Sequence, residues 1–139
     1  MTETDDCRPF ALVADDDGLI RMAAGVILGE AGFRSIEAAQ VEDALEILTT
    51  QGGNIQLLFT DVQMPPSELT GFELAKACAK GWPHIGILVA SGNAHPGPGD
   101  MPDGAVFISK PFSADVVYER LNELFPDGRK PESLLRRAK

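Results

Sequence analysis

Residues 57–66 read LLFTDVQMPP. An apolar run ending in threonine has the look of a buried strand, yet it leads straight into Asp61, with a Met-Pro step close behind. A carboxylate at the tip of a hydrophobic strand needs a reason, and the rest of the chain supplies neighbours for it. Four further apolar runs read as strands: FALVA (10–14), FRSIE (33–37), IGILVA (85–90) and AVFI (105–108), with the quoted stretch belonging to a strand over 55–60. The first, third and fourth are apolar almost throughout, the pattern of parallel strands covered on both faces.

Helical stretches separate them. Residues 17–31 place Leu19, Met22, Ala23, Val26 and Ile27 on one side, and Gly32 supplies a stop. Residues 40–50 carry Val41, Ala44, Leu45 and Leu48 in phase, and residues 71–80 carry Phe72, Leu74, Ala75, Cys78 and Ala79, ended by Gly81 and Pro83. Residues 113–125 open on Ser113 as an N-cap, repeat Val117, Leu121 and Leu124 at helical spacing, and stop at Pro126. The alternation predicts an α/β protein with a doubly wound five-stranded parallel sheet. One slot breaks it. Residues 92–104 hold Pro96, Pro98 and Pro102 with four glycines. An interior proline costs a helix about 3 kcal/mol and a glycine about 1, so a loop with at most one short turn is expected there.

A chain of 139 residues suffices for one domain. With 44% hydrophobic and 24% charged residues it reads as globular. No apolar run approaches the ~20 residues of a membrane span, and the acidic start MTETDDCRPF is unlike a secretory signal. A cytoplasmic protein without membrane contact is expected, with Cys7 and Cys78 reduced. The net charge of −9 is uneven: residues 127–139 carry five basic and two acidic side chains, net +3, leaving −12 on the other 126 residues. So acidic a body repels DNA, and no direct DNA binding is expected. The basic tail reads as a solvated extension.

Ligands of open parallel sheets bind beyond the carboxyl ends of the strands. Asp15, Asp16 and Asp17 follow the first strand, Asp61 the third, Ser91 the fourth, and Ser109-Lys110-Pro111 the fifth; the second is followed only by AAQ. A lone Asp in such a place often just caps a helix, and Asp17 reads that way. Neighbouring strands lie about 4.8 Å apart, so Asp15, Asp16 and Asp61 would crowd together and repel. A divalent cation removes the conflict, and oxygen-only donors favour Mg²⁺, with Mn²⁺ as a substitute. A metal, a hydroxyl and a lysine around one carboxylate suit phosphoryl transfer onto that carboxylate.

These segments resemble the receiver domain of bacterial response regulators, the CheY-like group of flavodoxin-like folds with strand order 2-1-3-4-5. VADDDGLIR is similar to the family's acidic pair, LLFTDVQMP to its phosphoacceptor segment, ILVASG to its hydroxyl position and VFISKPF to its lysine segment. The resemblance runs from about Arg8 to Phe125, which implies an N-terminal extension (1–7), a receiver domain (8–126) and the basic tail (127–139). It implies that Asp61 accepts a phosphoryl group from a histidine kinase or histidine phosphotransfer protein. It assigns Mg²⁺ to Asp15, Asp16, Asp61 and the main-chain carbonyl of Gln63, the phosphoryl oxygens to Ser91 and Lys110, and a switching aromatic to Phe107. It also implies a cis Lys110–Pro111 bond. Two departures stand out. Gly71 lies ten residues after Asp61 where the family usually has glycine at about eight, and the family's fourth helix is degenerate or replaced by the Pro/Gly loop, which carries His95 as an ordinary loop histidine.

With 14 residues after Phe125, the expectation is a stand-alone receiver in a phosphorelay. It would signal by contact with a downstream protein that the sequence does not name, or drain phosphoryl groups from a kinase. The alternatives are a phosphorylation-independent receiver-like interaction module and, less favoured, an aspartyl-nucleophile phosphohydrolase. Hydrolases of that kind commonly place a second acid two residues on as proton donor, where Gln63 stands here. No glycine fingerprint follows the first strand, which excludes a dinucleotide site of that type.

Overall fold

The computed structural model describes residues 8–92 and 95–125. Cys7, Pro126 and the basic tail lie outside the described residues. Five strands, β1 (Phe10–Ala14), β2 (Arg34–Ala38), β3 (Ile55–Asp61), β4 (Gly86–Ser91) and β5 (Val106–Ser109), form one parallel sheet in the order β2-β1-β3-β4-β5. The helices are α1 (Gly18–Glu30), α2 (Val41–Gln51), α3 (Gly71–Gly81) and α4 (Ala114–Leu124), and a short 3-10 turn spans Gly52–Asn54.

Period-two alternation divides the sheet between two cores. Ala11, Val13, Leu57, Phe59, Leu88, Ala90 and Ile108 face α1 and α4, while Leu12, Ala14, Leu58, Ile87 and Val89 face α2 and α3. Leu12, Leu58 and Leu88 are wholly buried, and burial of such a side chain stabilises by roughly 1.5–3 kcal/mol. Both faces are covered, which is why β1, β3 and β4 read as continuous apolar runs.

The helix ends follow local chemistry. Asp17 caps α1 by accepting from the N–H groups of Leu19 and Ile20, and Ser113 caps α4 by accepting from Val116. Thr70 and Glu73 form a reciprocal capping box at α3. Gly32, with φ at 107°, turns the chain after α1. Its N–H donates to the Gly29 carbonyl and that of Phe33 to the Leu28 carbonyl, a Schellman stop.

Two expectations need correction. Strands β2, β4 and β5 each begin and end one residue later than predicted, and β3 runs one further, because parallel pairing continues as far as a neighbour does: Ala14 pairs with Ala38, Asp61 with Ala90, and Ser91 with Ser109. Asp61, Ser91 and Ser109 are therefore the last strand residues, not the first beyond. Second, most of the named side of α1 is not its core side. Leu19 is 76% exposed and Met22 and Val26 are 59% exposed. Of the named residues Ile27 packs against the core, which is otherwise filled on this side by Ala24 and Leu28.

Between β4 and β5 no helix occurs among the described residues. A turn closes where the Gly97 N–H donates to the Asp100 carboxylate at 2.7 Å and the Asp100 N–H to the Gly97 carbonyl at 3.1 Å. Gly99 and Gly104 sit at φ of 81° and 85°, a region that few other residues tolerate.

Candidate functional site

The carboxyl ends of β1, β3, β4 and β5 meet at one edge of the sheet. β1 delivers Asp15, which is 1% exposed, and β3 delivers Asp61, which is 8% exposed; Asp16 is open to solvent. One carboxylate oxygen from each of the three lies within 4.8 Å of the others. Lys110, just past β5, spans two of them: its Nζ donates to Asp15 Oδ2 at 2.7 Å and lies 3.1 Å from Asp61 Oδ1. The Lys110–Pro111 peptide is cis, and the Lys110 N–H donates to the Ser91 carbonyl at 3.0 Å. Ser91 is itself buried at the end of β4. Gln63 is exposed two residues beyond Asp61. Phe107 is half-buried on the α3 side of the sheet, its ring centroid 5.7 Å from that of His95.

Burial, and then the charge of Asp15, push the Asp61 carboxyl above its ordinary range, against the hydrogen bond and charge of Lys110 and the N–H of Val62. For Lys110, burial works to lower the ammonium, but the hydrogen bonds and charges of Asp15 and Asp61 together prevail and hold it above its usual value. The site is thus an over-concentrated set of anions with one ammonium shared between two of them. Three carboxylate oxygens within 4.8 Å of one another form a donor set that fits a hard divalent cation.

Two residues not anticipated as part of the site shape it. Thr60 is fully buried, and its Oγ1 donates to the Asp61 carbonyl at 2.8 Å. Gly71 packs against the same carbonyl: a Cβ there would stand 1.8 Å from the Asp61 oxygen. Its N–H donates to the Val62 carbonyl at 2.7 Å. The loop from 62 to 70 reaches this point by burying Met64 and by a bond from Ser67 Oγ to Glu42 at 3.0 Å. A glycine just before an apolar helical run was the available signal, but the contact depends on a fold-back that spacing does not show. Cys78, in contrast, is core: burial pushes its thiol up to about 12, far from the reactive range.

Residues 11–122 match the response regulator receiver domain family. The chain is 31% identical over 118 residues to the sensor kinase CckA of Brucella abortus (strain 2308), and 30% identical over 118 residues to the nitrogen assimilation regulatory protein NtrX of Azorhizobium caulinodans. Each match covers 81% of this chain, but only 12% of the first relative and 26% of the second. Among solved structures, the receiver domain of the hybrid histidine kinase CckA superposes with a TM-score of 0.70 at 29% identity, covering 84% of this chain and 99% of that one. The chemotaxis response regulator CheY4 of Vibrio cholerae also gives 0.70, at 26% identity, over 85% of this chain and 99% of that one. With its strand order, its strand-end acids and these likenesses, the chain belongs to the response regulator receiver domain family.

Proposed function

We propose that Asp61 is the phosphoacceptor of a two-component phosphorelay. The observation that carries this reading is the meeting of Asp15, Asp16 and Asp61 within 4.8 Å, with Lys110 shared between Asp15 and Asp61. In the reaction, a carboxylate oxygen of Asp61 forms a bond to phosphorus as the bond from phosphorus to a donor histidine nitrogen breaks, and the imidazole nitrogen keeps the electron pair. The product is an acyl phosphate. Asp15, Asp16, Asp61 and the Gln63 carbonyl would hold Mg²⁺, which when bound offsets negative charge on the phosphoryl oxygens.

The chain's own residues supply the rest. β3 holds Asp61 on a rigid strand, and the Val62 N–H donates to its Oδ1 at 2.8 Å, orienting the carboxylate. Lys110 reaches Asp61 and can follow charge onto the phosphoryl group, while Ser91, on the adjacent strand, donates its hydroxyl to the same oxygens. Phe107 lies on the neighbouring strand and answers the displacement of Ser91. Output then passes by contact with a further protein, or the domain simply drains phosphoryl groups from a kinase. The solvent-facing row of Leu19, Met22 and Val26 on α1 supports a protein as the donor, since a groove lined by Leu19, Ile20, Ala23, Lys110, Pro111 and Phe112 joins that row to the site.

Incubation with acetyl phosphate and Mg²⁺, read by intact mass, tests the assignment. A gain of one phosphoryl group, abolished by Asp61→Asn or by chelation of the metal, is expected. A mass unaltered by the phosphodonor overturns it.

A further inference from the structure

The end of β2 presents no acid, hydroxyl or lysine to the site, yet its last two residues hold the main chain of Asp15 from both sides. The Asp15 N–H donates to the Ala38 carbonyl at 3.0 Å. The Asp15 carbonyl accepts from Arg21 Nη1 at 2.8 Å, and Nε of the same guanidinium donates to Glu37 Oε1 at 2.9 Å. Arg21 is only 21% exposed in its side chain, against 49% for Glu37. The carboxylate of Asp15 is engaged as well, Oδ1 by the Asp17 N–H at 2.9 Å and Oδ2 by Lys110.

We propose that Arg21 is a positioning residue for the metal-binding acids. Glu37 sets the plane of the guanidinium, and the guanidinium fixes the Asp15 carbonyl. Through that carbonyl it fixes the turn over residues 15–17, from which Asp15 and Asp16 meet Asp61. This assignment rests on the Mg²⁺-dependent phosphoacceptor reading. An exposed Arg–Glu pair by itself adds little; the distinguishing feature is the second arm of the fork on a main-chain oxygen of the site. A lysine has no such fork and cannot serve both partners in one plane.

Geometry and charge predict opposite signs for the loss of Arg21. A cation near an anionic cluster opposes the binding of a second cation, so a purely electrostatic Arg21 would weaken Mg²⁺ binding, and its removal would tighten it. A positioning Arg21 does the reverse. Supporting groups around metal ligands typically contribute about 10–100-fold in affinity.

The experiment measures the Mg²⁺ dissociation constant of the full unphosphorylated chain by calorimetry, for wild type, Arg21→Gln and Arg21→Lys, with folding followed by circular dichroism. Arg21→Gln is expected to weaken Mg²⁺ by about tenfold or more. Arg21→Lys keeps the charge but is expected to fall between the two. A folded Arg21→Gln protein that binds Mg²⁺ as well as wild type, or better, overturns the proposal. Should Arg21→Gln not fold, wild-type affinity in Arg21→Lys overturns it and weakened affinity supports it. A wild-type chain that neither binds Mg²⁺ nor takes a phosphoryl group from acetyl phosphate overturns the phosphoacceptor reading itself. Normal wild-type behaviour beside unchanged variants overturns only the role of Arg21.

Discussion

Substituting Gly71 by alanine tests how the site is built at its tightest point. The added Cβ would sit 1.8 Å from the Asp61 carbonyl oxygen and 3.1 Å from Thr60 Oγ1. Non-bonded atoms settle at about 3.5–4.0 Å, so the start of α3 and the end of β3 must part by roughly 1.7–2.2 Å. Overpacking of this kind costs about 1–3 kcal/mol, and loss of the Gly71 to Val62 hydrogen bond adds about 0.5–1.5. The sum, about 1.5–4.5 kcal/mol, corresponds to a fall in melting temperature of roughly 5–17 °C for a domain of this size. Because the displaced carbonyl belongs to Asp61, labelling by acetyl phosphate should also slow, by up to about 100-fold if the shift falls on the carboxylate. Gly81, at the other end of the same helix, has no atom within 4 Å of a Cβ position, so Gly81→Ala should be neutral or stabilising by up to about 1 kcal/mol. Thermal melts of both variants with phosphorylation time courses decide the matter. A Gly71→Ala protein that melts within about 2 °C of wild type, an effect below 1 kcal/mol, would refute the reasoning.

Three other outcomes are expected. Mg²⁺ at ten times its dissociation constant should stabilise the protein by about 1.4 kcal/mol, raising its melting temperature by roughly 4–6 °C, and Asp61→Asn should raise the metal-free melting temperature while shrinking the Mg²⁺ increment. Since the folded Asp61 carboxyl titrates above its unfolded value, its contribution is present below the unfolded pKa and lost as pH rises through the folded one. The advantage of Asp61→Asn over wild type should therefore grow across that rise and vanish on acidification, which melts at a series of pH values would show. Met22→Glu, on the exposed row of α1, should leave labelling by acetyl phosphate intact and slow transfer from a protein phosphodonor by about tenfold, the equivalent of about 1.4 kcal/mol of docking; equal slowing of both reactions would place Met22 outside donor docking.

Much of this architecture is legible in the sequence because the signals are local. The buried strands show as unbroken apolar runs, and Asp15, Asp61, Ser91 and Lys110 each stand at or just past a strand end. The loop before β5 shows in its prolines and glycines. Features that depend on a partner are not legible. The last paired residue of β3 or β4 is set by how far its neighbour extends. In helix α1, Leu19, Met22, Ala23, Val26 and Ile27 fall on one side, but Ala24 and Leu28 beside them are apolar too, and periodicity alone does not say which of them meet the sheet. The fold-back that seats Gly71 on the Asp61 carbonyl, and the hold of Glu37 and Arg21 on Asp15, join residues whose spacing carries no pattern.

The connection from β4 to β5 has a consequence for diversification. Within residues 95–105 the hydrogen bonds are short-range, Gly97 with Asp100 and Pro102 with Ala105, and two glycines take positive φ, while Met101 and Ala105 pack against the core and His95 lies against Phe107. Strand register is set elsewhere, by the pairing of β4 with β5. A segment whose hydrogen bonds are local can be exchanged as a cassette so long as it keeps an apolar anchor where Met101 meets the core. Two proteins could thus share one reaction centre while presenting unrelated outlines to the molecules that read them.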